Sequence, residues 1–127
     1  MNTAGISPKR VLVVDDEPFV CDAVKMMLEF DGHKIETANS AAAALALFDQ
    51  EKFDVVITDF SMPGMKGNEL AAQIRARNPK QPVVMITAYA ELLAANKTPL
   101  DAVDCVISKP FLLEDLRTAL TKATTAK

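Results

Sequence analysis

The sequence predicts a doubly wound α/β domain built on a parallel sheet. Three observations carry this. Short apolar runs recur at regular spacing, amphipathic helical segments separate them, and charged residues stand directly after the runs. The runs are continuous rather than alternating, so the strands should be covered on both faces, as in a parallel sheet between two helix layers. Strand–helix alternation then implies right-handed crossovers.

The first strand is Arg10 to Val14, through Val11-Leu12-Val13-Val14. Pro18 suits the first turn of a helix from Pro18 to Phe30, with Val20, Val24, Met27 and Leu28 on one face and Asp31-Gly32 as its stop. The stretch His33 to Ala38 mixes in Lys34, Glu36 and Thr37 and reads as an exposed edge strand, with His33 itself in an exposed loop position. Ser40 can cap a second helix, Ala41 to Gln50, with Leu45 and Phe48 inward. Asp54 to Thr58 forms the third strand around Val55-Val56-Ile57. A third helix follows from Asn68 to Asn78, with Leu70, Ala71 and Ile74 inward and Pro79 at its end. Met62-Pro63-Gly64 reads as a turn, with Gly64 or Gly67 available for a positive φ. Pro82 to Thr87 and Asp104 to Ser108 supply the fourth and fifth strands. A last helix runs from Leu113 to Lys122, with Leu113, Leu116 and Leu120 on one stripe. The polar tail Thr121 to Lys127 is expected to fray.

The chain has 127 residues, of which 50% are hydrophobic and 24% charged. That suits a single domain, residues 1–127 with a core at about 9–123, needing neither disulfides nor structural zinc. Fourteen basic against 17 acidic residues leave a net charge of −3, which argues against direct nucleic acid binding. No apolar run approaches the roughly 20 residues needed to span a membrane, and Met1 to Lys9 lacks the apolar core of a signal peptide. Cys21 and Cys105 have no metal-ligand spacing. A reducing, cytoplasmic location is expected, with both thiols acting as small buried or half-buried side chains.

In a doubly wound fold, ligands sit beyond the carboxyl ends of the strands, where strand order reverses. After the first strand stand Asp15, Asp16 and Glu17, and after the third stands Asp59. Thr87 closes the fourth, and Lys109 follows the fifth. If the first and third strands are neighbours, Asp15, Asp16 and Asp59 converge. Carboxylates that close repel one another. A hard divalent cation resolves the conflict, and an all-oxygen set points to Mg²⁺ or Mn²⁺ rather than zinc. Lys109 adds an ammonium and Thr87 a hydroxyl, which together describe a phosphoryl-transfer centre. Asp59 is the expected nucleophile, giving an aspartyl phosphate, because Asp15 and Asp16 are better placed to hold the metal.

Four segments carry a resemblance: Val11-Leu12-Val13-Val14-Asp15-Asp16-Glu17-Pro18; Asp54-Val55-Val56-Ile57-Thr58-Asp59-Phe60-Ser61-Met62-Pro63-Gly64 with Gly67; Met85-Ile86-Thr87-Ala88; and Ser108-Lys109-Pro110-Phe111. In this order, each at a strand end, they resemble the CheY-like receiver domain of response regulators in two-component signalling. The resemblance implies a flavodoxin-like sheet in the order 2-1-3-4-5 with five helices. It implies Asp59 as phosphoacceptor, and Mg²⁺ held by Asp16, Asp59 and the Ser61 backbone carbonyl, with Asp15 acting mainly through a metal-bound water. Lys109 would pair with Asp59, Thr87 would turn toward the phosphoryl group, and the Lys109-Pro110 bond would be cis. The implied donor is a phosphohistidine on a sensor histidine kinase or phosphotransfer protein. Such a domain is not an enzyme beyond its own phosphorylation and dephosphorylation. It switches an output partner or domain, none of which is expected within these residues, and homodimers are compatible with it.

The chain departs from that pattern in three places. Val106 stands where family members place an aromatic that follows the threonine, and a branched aliphatic cannot swing as that lever. Pro99 bars a long helix after Thr87, so a short or broken fourth helix over about Ala90 to Asn96 is expected. Leu112 replaces a common capping residue, although Glu114 and Asp115 still favour the start of the last helix. Tyr89, two residues after Thr87, is bulky enough to shield an acyl phosphate. Two other classes compete with the signalling reading. One is a Mg²⁺-dependent phosphatase, which would want an aspartate where Ser61 stands. The other is a binding scaffold that uses the fold without phosphorylation.

Overall fold

The computed structural model describes residues 7–125. Its elements follow in strict alternation. They are β1 (Arg10–Val14), α1 (Pro18–Phe30), β2 (Lys34–Ala38), α2 (Ala41–Gln50), β3 (Val55–Asp59), α3 (Gly67–Arg77), β4 (Val83–Thr87), α4 (Ala90–Ala95), β5 (Cys105–Ser108) and α5 (Leu113–Thr125). The five strands form one parallel sheet in the order β2-β1-β3-β4-β5, so the order of winding reverses between β1 and β3. Both the alternation and this order agree with the sequence-based expectation.

The continuous apolar runs are explained by a sheet covered on both sides. Along β1 the pleat sends Val11 and Val13 to one face, where they pack with Val24 and Leu28 of α1 and Leu116 and Leu120 of α5. Leu12 and Val14 point to the other face, against Ala44 of α2 and Leu70 and Ile74 of α3. Neither face of β1 meets water, hence no polar alternation. The helix starts are set as their sequences suggest. Pro18 opens α1, and the Ser40 hydroxyl accepts the Ala43 N–H at 3.1 Å. At α5, where the usual cap is absent, the Asp115 carboxylate reaches back to accept the Leu112 N–H at 2.7 Å. The fourth helix is six residues long, as Pro99 requires, and Lys97 with φ 53 turns the chain out of it.

Two expectations are corrected. Helix α5 does not stop at Lys122 but continues to Thr125, with Ala123 buried in the core and the Thr124 hydroxyl bonded to the Leu120 carbonyl at 2.7 Å. Its last turn reads as polar, yet a single small apolar residue on the inner stripe holds it down. The end of the tail, residues 126–127, lies outside the described residues. His33 is not in an exposed loop. It is 3% exposed, just ahead of β2, and its Nδ1 accepts the Lys9 N–H at 2.9 Å. That bond assigns the proton to Nε2, which is buried without a hydrogen-bond partner among the described residues.

Burial, together with the Lys9 charge, lowers the His33 pKa against the opposing pull of Asp31. An unfolded chain therefore takes up this proton at a higher pH than the folded one does. Stability from the neutral ring is present above the unfolded value, near 6.5, and is lost as pH falls below it toward the lower folded value. Urea unfolding at pH 7.5 and 5.5 should show a drop in midpoint for the wild type and a smaller drop for His33→Gln. An equal drop in both would contradict this placement of the proton.

Candidate functional site

The reversal between β1 and β3 opens a cleft at the carboxyl ends of the strands. Asp15 directly follows β1, and Asp59 is the last residue of β3; their backbones stand one strand spacing apart. Both are buried, at 2% and 6% exposure, whereas Asp16 lies nearer solvent. One carboxylate oxygen from each of Asp15, Asp16 and Asp59 falls within 4.8 Å of the others. Lys109, carried just past β5, leans back across the sheet end. Its Nζ lies 2.9 Å from Asp59 Oδ1 and 3.7 Å from Asp15 Oδ2.

The electrostatics follow from this crowding. Burial, with the neighbouring charges of Asp59 and Asp16, pushes the Asp15 carboxyl up to about 6, against the opposing Glu17 N–H bond and the Lys109 charge. For Lys109, burial pulls the pKa down. The hydrogen bond and charge of Asp59, joined by Asp15 and Glu17, more than offset it, so the net shift is upward. One ammonium thus serves two buried carboxylates, and the cluster keeps an excess of negative charge. The donor set is all carboxylate oxygen, with no imidazole or thiolate, which fits a hard divalent cation.

The remaining expected residues are located as follows. Thr87 ends β4 at 1% exposure, and its hydroxyl accepts the Tyr89 N–H at 2.9 Å. Its backbone carbonyl takes the Lys109 N–H at 2.9 Å, which ties the two residues together. Ser61 lies exposed in the loop two residues past Asp59. The Lys109-Pro110 bond is cis. Val106 stands on β5 at 37% exposure, with no aromatic side chain to couple to Thr87, and Tyr89 is half exposed.

Gly67 has a role that sequence reasoning did not separate from that of Gly64. Gly64 takes the positive φ, 81°, of the loop turn. Gly67 instead presses the start of α3 onto the Asp59 backbone. A Cβ there would lie 2.2 Å from the Asp59 carbonyl oxygen and 2.9 Å from Phe60 Cα. Its N–H reaches the Phe60 carbonyl at 2.9 Å. The sequence signal was its spacing after Asp59, but only the packed structure distinguishes close approach from turn geometry.

A parallel doubly wound α/β domain with carboxylates and a lysine gathered at its switch point is the class these features define. The family model of the response regulator receiver domain matches residues 11–121, and the chain belongs to that family. It is 34% identical over 116 residues to the probable transcriptional regulatory protein TcrX of Mycobacterium tuberculosis, covering 91% of this chain and 50% of that protein. The chain spans about half or less of the length of the first curated relatives it matches. Among solved structures, a response regulator receiver domain protein from Clostridium thermocellum superposes with a TM-score of 0.84 at 30% identity, covering 92% of this chain and 94% of that one. The response regulator TrrA of Thermotoga maritima, solved in complex with Mg²⁺-BeF, superposes with a TM-score of 0.82 at 34% identity, covering 91% and 98%.

The raised Asp15 carboxyl is a statement about stability. Because its folded pKa lies above the unfolded value, ionising it at neutral pH costs the folded state free energy. In metal-free buffer at pH 7, Asp15→Asn should therefore raise stability, by on the order of 3 kcal/mol for a shift of this size. The same variant should lose most of the thermal stabilisation that added Mg²⁺ gives the wild type. A variant less stable than wild type in EDTA would contradict the electrostatic account.

Proposed function

We propose that this chain is a phosphoacceptor signalling domain, one receiver unit over about residues 9–123, whose acceptor is Asp59. The observation that carries the reading is the Lys109 ammonium 2.9 Å from Asp59 Oδ1, beside the buried Asp15 carboxylate. The contact aims the Asp59 carboxylate and leaves a cation at the edge where phosphoryl oxygens would arrive.

Asp15, Asp16, Asp59 and the Ser61 backbone carbonyl would hold Mg²⁺, or Mn²⁺ in its place, with Asp15 acting mainly through a bound water. When bound, the ion offsets the carboxylate charges and those of the incoming phosphoryl oxygens. The chain's own residues do the rest. An Asp59 carboxylate oxygen attacks the phosphorus of a phosphohistidine. The P–N bond breaks, and its electron pair returns to the imidazole nitrogen, leaving an acyl phosphate on Asp59. Lys109 Nζ then follows one phosphoryl oxygen. Thr87 gives up its bond from the Tyr89 N–H and turns its hydroxyl to another, which frees the segment before α4. With Val106 in place of an aromatic, the change passes through that segment and Tyr89 rather than through a ring on β5.

The donor is a sensor histidine kinase or phosphotransfer protein. Phe19 and Val20 of α1, with Pro110 and Phe111, line an apolar hollow beside Lys109, which suits a docked donor next to the acceptor. The output partner, whether a separate protein or a further domain, is reached through the face of α4, β5 and α5, which can also support a homodimer. The domain does not bind nucleic acid itself and works in the cytoplasm; no described helix is long and apolar enough to cross a membrane. It catalyses no reaction beyond gaining and losing its own phosphoryl group.

Incubation with acetyl phosphate and Mg²⁺, read by intact mass, should add one phosphoryl group to the wild type and none to Asp59→Ala. Lys109→Ala should slow the gain at least tenfold, since it removes a charge from the developing transition state. A phosphoryl group that persists in Asp59→Ala would refute the acceptor.

A further inference from the structure

The Asp15 carbonyl stands one residue beyond the last β1–β2 pair, Val14 with Ala38. The Asp15 N–H still reaches the Ala38 carbonyl at 3.1 Å, but from there β2 turns away into the Ser40 cap of α2. Where the next ladder bond to the carbonyl would fall, two side chains supply donors. Asn39 Nδ2 donates to Asp15 O at 3.1 Å, and Cys21 Sγ donates at 3.4 Å. Asn39 Nδ2 also lies 3.6 Å from Cys21 Sγ, so the three groups close into a triangle. Cys21 is 2% exposed, and its thiol also meets the Ala38 carbonyl at 3.7 Å.

The consequence lies in what this carbonyl belongs to. It is part of the planar Asp15–Asp16 peptide unit, which links the two acidic residues. Asp15 Oδ1 is separately held by the Glu17 N–H at 2.9 Å. Two donors on the carbonyl stop the peptide unit from rotating, and so fix the direction in which Asp15 and Asp16 leave the backbone. These two carboxylates also repel each other and Asp59, and would turn apart if the peptide unit were free to move.

We propose that Asn39 and Cys21 are positioning residues for the cation site: by clamping the Asp15 carbonyl, they hold the Asp15 and Asp16 carboxylates on target and set divalent cation affinity. The proposal rests on the reading of Asp15, Asp16 and Asp59 as the Mg²⁺ ligands. Neither residue touches the ion or the phosphoryl group. Each acts on groups that do, the kind of support whose loss weakens metal binding by roughly 10- to 100-fold at established metal sites.

The test is a calorimetric Mg²⁺ titration without phosphodonor, paired with acetyl phosphate labelling over a range of Mg²⁺ concentrations. Asn39 is exposed, so Asn39→Leu removes the donor without disturbing the core. It should weaken Mg²⁺ binding about tenfold. Cys21→Ala should weaken it less, and Cys21→Ser, which keeps a hydroxyl donor, should stay within about twofold of wild type. In Asn39→Leu the half-saturating Mg²⁺ for labelling should rise by the same factor, while the rate at saturating Mg²⁺ returns to the wild-type value. A merely structural role would lower the saturated rate instead, and that outcome overturns the proposal. So does wild-type Mg²⁺ affinity in Asn39→Leu. Absence of Mg²⁺ binding in the unsubstituted chain overturns the reading of the acidic cluster, and this proposal with it.

Discussion

The structure is organised around a charge imbalance that it contains but does not cancel. Asp15 and Asp59 are buried side by side, Asp16 adds a third carboxylate, and the Lys109 ammonium stands among them. Burying like charges together is unfavourable, and one lysine offsets part of the cost. That excess negative charge is what a divalent cation, and a group arriving with one, would offset. A neutral cleft of the same shape would be more stable and would bind neither.

The fold pays for this arrangement with rigidity elsewhere. The register that pairs Val14 with Thr58, and Asp59 with Ile86, brings acidic groups from two strands to one level of the sheet. Apolar packing on both faces holds that register, because slipping it by one residue would send each side chain to the opposite face. Gly67 lets α3 close against the Asp59 backbone, and the Thr87 carbonyl ties the start of the Lys109 segment to β4. The acidic turn is therefore fixed from every strand that surrounds it.

Much of this was legible in the sequence, and the reasons are physical. A strand buried on both faces must be apolar throughout, so β1, β3 and β4 announced themselves. Charged residues at strand ends have few structural reasons to recur in order, so Asp15, Asp16, Asp59 and Lys109 stood out together. Sheet order came through the family resemblance of four motifs, since no local pattern states which strands pair. Contacts between residues distant in sequence stayed hidden. His33 read as an exposed loop residue because nothing local shows that Lys9 would meet its ring. The end of α5 looked polar because one buried alanine, Ala123, is a faint signal. Cys21 read as a small buried side chain and Asn39 drew no reading at all, because only the neighbouring ends of β1 and β2 bring them to one carbonyl.

Anomalous scattering from crystals of the chain grown with Mn²⁺ tests the shared cation site most directly. The account predicts one strong peak at bonding distance from carboxylate oxygens of Asp16 and Asp59, with Asp15 facing it and Lys109 still beside Asp59. A peak elsewhere with this cleft empty, or the three aspartates turned apart around solvent, would contradict it.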